Sequence, residues 1–266
     1  MEMILFYKLS FITSIFSSAT LSVIGKHFIW RNKFIELFAL CQFAIIGNLA
    51  GHLLNPIIPL DLLPLILSVV FFILGKTLFD IFKINSRERS TRMICVYLAL
   101  TSIQYLTISL FPNLDTHLSS GLFGSMVTAT KVENISMIIL YAGILLCLFF
   151  INKGLTRNTL EISLFQKMKK NTRDEYFLIL PVVIGIFGLG LVHTLSFLAL
   201  GAVILGSSFS SQKMNNIVLI IINILASMGG LLLSLFFEKL STTPTQVLLL
   251  GAMCLSVKVV QEKLLK

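Results

Sequence analysis

Residues 34–54, FIELFALCQFAIIGNLAGHLL, set Glu36, Cys41, Gln42, Asn48 and His52 into an apolar run long enough to cross a bilayer. A thiol and an imidazole suit soft or borderline metals, and polar groups in hydrocarbon are costly enough to need a task. At 100° per residue, Cys41, Asn48 and His52 fall at about 140°, 120° and 160° from Glu36 and share one stripe, while Gln42 lies at about 240°, off it. Cys41 and His52 are the metal-ligating candidates. Gln42 and Asn48 are candidates for a substrate path. Packing is the competing reading: Gly47-x-x-x-Gly51 lets a neighbouring backbone approach, and Asn48 can hydrogen-bond across that contact. Glu36 lies at the inner end and reaches the cytoplasmic interface.

Other groups are more scattered. His52, His117 and His193 fall on or near one side of the spans, with Asp61 and Asp115. Around an outer mouth they could relay a cation; the alternative is interfacial residues that never converge. His117 and His193 join the substrate-path candidates. Lys76 and Asp80, four apart, can pair near the inner end of a span. Gly75-Lys76-Thr77 lacks the earlier glycine of a phosphate-binding loop, because position 70 is Val70, so this chain supplies no nucleotide site. Gln104, Asn216 and Asn223 are isolated polar groups suited to helix-to-helix bonds. Neither a Ser/His/Asp arrangement nor H-E-x-x-H occurs, and no spaced carboxylate pair points to hydrolysis. The chain does not read as an enzyme.

The elements that position these residues follow from composition. The chain has 266 residues, 56% hydrophobic and 12% charged, with a mean hydropathy of +0.93. Repeated apolar runs separated by short polar breaks predict an all-α polytopic membrane protein. A β-barrel would alternate with a period of two, and ISMIILYAGILLCLFF does not. The expected spans are 4–25, 34–54, 62–82, 93–112, 135–152, 177–192, 195–212, 215–236 and 245–261. The sixth and seventh meet near His193 and are either two helices or one broken segment, so the bundle has eight or nine. Residues 1–266 read as one transmembrane domain, with the first run as a retained helix. Cys41, Cys95, Cys147 and Cys254 are widely spaced and form no C-x-x-C.

The net charge of +9 matches basic cytoplasmic loops facing anionic lipid rather than a nucleic-acid partner. Lys26, Arg31 and Lys33 lie in the first loop, Lys83, Arg87, Arg89 and Arg92 in the third, and Lys153, Arg157, Lys167, Lys169, Lys170 and Arg173 in the fifth. The alternate loops hold only Lys131 and Lys239. With nine spans the N-terminus is outside and the C-terminus inside. In the fifth loop, SLFQKMKKN (163–171) predicts a short cytoplasmic helix: Ser163 and Gln166 fit a capping box, and Asn171 suits a left-handed stop. Leu164, Phe165 and Met168 give it an apolar side, and Lys167, Lys169 and Lys170 give it charge. It is either an interfacial helix on acidic lipid or a docking helix for a cytoplasmic partner.

At LFGSMVTAT (122–130), followed by KVEN, the sequence resembles permeases of the zinc- and manganese-type ABC importers. SVIGKHFIWRNKF (22–34), LEISLFQKMKKN (160–171), FLALGAVILGSSFSSQKM (197–214) and SLFFEKLSTTPTQVLLL (234–250) are similar to further family segments in the same order. The resemblance implies a permease subunit in the bacterial cytoplasmic (inner) membrane. It implies a homodimer served by a cytoplasmic ABC ATPase that holds the ATP, and by an extracytoplasmic solute-binding protein. No cofactor is expected in this chain. The cargo class implied is Zn²⁺, Mn²⁺ or Fe²⁺, moved by alternating access, with Ser163–Met168 docking the ATPase.

The chain departs from that family on the cargo path. Relatives carry an Asp and, four residues on, a His in the second span; anchored on Gly47, those places hold Phe38 and Gln42. Ser90 stands before Thr91 where an acidic residue is expected, and Gly206 where a proline is. The alternatives are a divergent permease that moves a non-metal cargo or has lost transport, and a stand-alone secondary carrier. A carrier should show ionisable residues at mid-span, and the span middles are nearly empty of them.

Overall fold

The computed structural model describes the chain except residues 1–6, 59, 61–62, 82–85, 115–121, 123–130, 166–171, 206–211, 238–239 and 265–266; for some further helical residues it describes the backbone alone. The described residues form helices and no strand. In chain order these are α1 (Lys8–Trp30), α2 (Phe34–Leu54), α3 (Leu63–Ile81), α4 (Ser86–Leu110), a 3-10 turn (Pro112–Leu114), α5 (Lys131–Phe165), α6 (Thr172–Leu189), α7 (Leu191–Leu205), α8 (Gln212–Phe236) and α9 (Thr242–Leu264). Seven are long and apolar enough to cross a membrane; α6 and α7 are not among them.

The sixth and seventh spans are two helices. Gly190 separates them at φ 85°, a left-handed conformation that costs glycine little. Its carbonyl accepts from the backbone N–H (3.1 Å) and the hydroxyl (2.8 Å) of Thr194, in the first turn of α7. A Cβ placed on Gly185 of α6 would meet that same Thr194 side chain, so the two helices fold back on each other. With this hairpin the described residues hold nine α-helices.

α1 is the centre of the bundle, packed by α5, α7 and α8, while α2 packs with α3 and α4 beside it. α6 bridges the two groups through contacts with α1, α2, α3, α5 and α7. Sequence explains the central place of α1. Its buried face is rich in small hydroxyl residues, among them Thr13, Ser14, Ser17, Ser18 and Ser22. Small side chains let neighbouring backbones approach, and their hydroxyls bond preceding carbonyls within the helix. Gly25 is the tightest case, since a methyl there would overlap the backbone carbonyl of Leu198 in α7.

The α1–α2 corner has a specific cause. Asn32 sits at φ 52°, which asparagine tolerates better than most residues. The Lys33 N–H bonds the Phe28 carbonyl and the Asn32 N–H the Ile29 carbonyl, both at 3.0 Å. This is a Schellman end, and it ties off the last carbonyls of α1. It swings Arg31, Lys33 and Glu36 to one end of the bundle. Lys76, Lys153 and Arg157 lie at the same end by helix alternation, and the positive-inside rule puts that end in the cytoplasm.

One expectation fails. No break precedes Ser163: α5 is a single helix of 35 residues. Ser163 therefore lies inside it and is no N-cap, so the capping box does not form there. Gly154 alone does not stop the helix. The Thr156 hydroxyl bonds Asn152 (3.2 Å) and Arg157 bonds Glu161 (3.0 Å), both four residues apart, which supports continuation.

Candidate functional site

α2 separates the residues that its stripe lined up. Cys41 and His52 share a side of the helix but stand about 16 Å apart along its axis. One ion bound at about 2 Å from each ligand cannot use both. Cys41 is fully buried in the apolar core. His52 is half-buried at the far end. Among the described residues, no three His, Cys, Asp or Glu side chains are grouped to hold a metal.

Gln42 is buried against α4, where the Gln104 amide donates to its side-chain oxygen at 2.6 Å and to its backbone carbonyl at 3.2 Å. That bears out Gln104 as a helix-to-helix bond and makes Gln42 its partner. Phe38 stacks edge-on with Phe34 (4.9 Å) and Tyr97 (6.4 Å). Gly47 and Gly51 pack on the backbone of α3 at Leu67 and Pro64, and Ser68 donates to the Ala44 carbonyl at 2.9 Å. The packing reading of this helix is therefore realised on its α3 side. Asn48 is half-buried, and its Oδ1 has no hydrogen-bond partner among the described residues.

Of the three outer histidines, His52 and His193 fall among the described residues. His193 is fully buried, stacked on Phe197 at 4.4 Å, with Nδ1 3.0 Å from Gln246 Oε1 of α9. Gln246 in turn donates to the Ser227 carbonyl at 2.9 Å, and Ser227 contacts Ser14 of α1. This buried chain links α7, α9, α8 and α1. It went unread in the sequence, where a Gln, two Ser and a His on four helices show no common spacing. His117, Asp61 and Asp115 lie outside the described residues.

The cytoplasmic end is where charges converge. Lys76 lies 3.3 Å from Glu36, 3.2 Å from Asp80 and 3.2 Å from Glu175. Lys33 also pairs with Glu175, and Arg31 lies 3.8 Å from Asp174. The expected Lys76–Asp80 pair is present, enlarged by Glu36 from α2 and Glu175 from α6. Arg31, Lys33, Glu36, Lys76 and Glu175 line a cavity with room for about one water molecule, walled by Phe28, Leu37, Leu40 and Leu178. Glu175 precedes the apolar part of α6. Burial alone would raise its carboxyl; Lys33 and Lys76 outweigh burial and hold it below the usual carboxylate range.

Beside this cluster, the cytoplasmic part of α5 is fastened to α1. The buried Thr159 hydroxyl lies 3.0 Å from His27 Nδ1 and 3.1 Å from both Nε and Nη2 of Arg31. Asn158 donates to Asp174 at 2.8 Å. The sequence signal available was Asp174-Glu175 in the first turn of α6, where acids favour a helix N-terminus.

The model of the ABC 3 transport family matches residues 3–261. The chain belongs to the ABC 3 transport family. It is a transport protein integral to the cytoplasmic membrane, and among its described residues seven helices are long and apolar enough to cross it. As a fold, this family member is similar to a chain of PsaBC from Streptococcus pneumoniae, solved in complex with Fab. The TM-score is 0.75 and the identity 19%, over 93% of this chain and 89% of that one. No curated protein matches. In this ABC 3 member, Ser163, Leu164 and Phe165 are the last residues of α5, and Gln166, Lys167 and Met168 lie outside the described residues.

Proposed function

We propose that the chain is the membrane-spanning permease of an ATP-driven importer, working as a pair with a cytoplasmic ABC ATPase and an extracytoplasmic binding protein. The observation that carries this reading is α5. Its 35 residues make a rod of about 52 Å, against about 30 Å of hydrocarbon. Its cytoplasmic part is buried on one side, at Leu155 and Thr159, and exposed on the other, at Arg157 and Leu160. A stiff rod leading into residues 163–171 suits an ATPase-docking segment, and alternating access would follow from its movement. Scrambling 163–171 should abolish co-purification of the ATPase with the tagged chain; undiminished binding removes the docking role.

The cargo implied by the family resemblance is a divalent transition metal. A second reading has its own support, because Phe38 and Gln42 are committed to Tyr97 and Gln104. On that reading the permease moves a cargo other than a transition metal. Uptake of Zn²⁺, Mn²⁺ and Fe²⁺ by cells with and without the gene separates the two: a gene-dependent change for any of them favours the metal.

A further inference from the structure

We infer that Thr159 is the joint through which the cytoplasmic end of α5 moves α1, the central helix of the bundle; this rests on the proposed ATPase-coupled function.

The geometry uses the hydroxyl fully. A threonine hydroxyl has one proton and two lone pairs. Thr159 accepts the Nε–H and Nη2–H of Arg31, which leaves its own proton for His27 Nδ1, 3.0 Å away. His27 then carries its proton on Nε2. All three residues are buried, with Thr159 and His27 fully so. An oxygen serving three nitrogens inside a low-dielectric contact fixes α5 against α1 in one register.

The joint lies between the two parts that must communicate. On one side, α5 runs on to Phe165 and the docking segment. On the other, His27 and Arg31 end α1, which packs against α5, α7 and α8. Next to the joint, Asn158 holds Asp174 at 2.8 Å and Arg31 faces the same carboxylate at 3.8 Å. A displacement of α5 at Thr159 is therefore delivered to α1 directly and to α6 through Asp174. Outward-facing Arg157 and Glu161 pair only along α5 itself among the described contacts, so they stiffen the rod without fastening it. Thr159 is a positioning residue: its side-chain bonds go to His27 and Arg31, and it acts through α1.

The test uses the full chain reconstituted with the ATPase that co-purifies with it. Spin labels replace Lys8 on α1 and Leu98 on the exposed side of α4, and the distance between them is measured with and without a non-hydrolysable ATP analogue. The wild-type pair should shift on nucleotide addition. Thr159→Val should keep the ATPase bound and lose the shift. Thr159→Ser should restore it. A nucleotide-driven shift that survives Thr159→Val overturns the proposal. If Thr159→Val does not fold, Arg31→Lys, which removes the two-pronged bond and keeps the charge, decides it by the same readout. If the wild-type chain retains no ATPase, the functional reading fails before the joint is addressed. If ATPase is retained but the wild-type distance does not move, the joint proposal fails alone.

Discussion

Lys76 of α3 lies 3.2 Å from a carboxylate oxygen of Glu175 on α6, and it holds Glu36 of α2 at 3.3 Å on its other side. One ammonium thus ties three helices at the cytoplasmic end. Removing it takes a shared cation from the buried Glu36 and from Glu175. Lys76→Met should cost about 3–5 kcal/mol, the usual penalty for breaking a buried pair from one side. Lys76→Arg should retain most of the stability. Thermal unfolding in detergent checks both. A Met variant that melts with the wild type would show that the cluster does not hold the bundle together.

The same cluster should make stability depend on pH through Glu175. Burial opposes its ionisation, yet Lys33 and Lys76 keep its folded carboxyl below the usual range. A depressed carboxyl stabilises the fold above its unfolded value, about 4.3. That contribution is lost as pH falls through the lower folded value. Melting curves of wild type and Glu175→Gln should therefore be furthest apart near neutrality and converge in acid. A gap that widens in acid has the wrong sign for this account.

The Gln42–Gln104 bond predicts a non-additive pair. Gln42→Leu alone should cost about 1–3 kcal/mol, because it removes the shorter of the two bonds made by the buried Gln104 amide and leaves only the backbone carbonyl of residue 42. The double variant, Gln42→Leu with Gln104→Leu, should recover much of that loss. A double-mutant cycle on unfolding free energy reads the coupling directly. Strict additivity would mean that the two amides do not bind each other in the folded protein.

Two glycines of similar appearance should respond in opposite ways. Gly25→Ala would drive a methyl into the Leu198 carbonyl, and overpacking of that kind costs about 1–3 kcal/mol or more. Gly154 has open space around its missing Cβ, so Gly154→Ala should stabilise the helix by about 0.5–1 kcal/mol. Expression level and melting temperature of the two variants give the comparison.

The sequence by itself determined the class and the number of passes to within one. Hydrocarbon thickness and the cost of bare peptide groups leave little choice for runs such as ISMIILYAGILLCLFF. Local spacing also determined Lys76–Asp80 and the close approach at Gly47 and Gly51, because each is a property of one helix face. Tertiary structure decided the rest. That Gln42 meets Gln104, that His193 meets Gln246, and that Thr159 meets His27 and Arg31 depends on which helices become neighbours, and periodicity along one helix carries no record of that. The fusion of 152–165 into α5 was also decided beyond local signals. The sequence carries a plausible cap at Ser163, but the buried bonds of Thr159 to α1 reward a helix that continues through it.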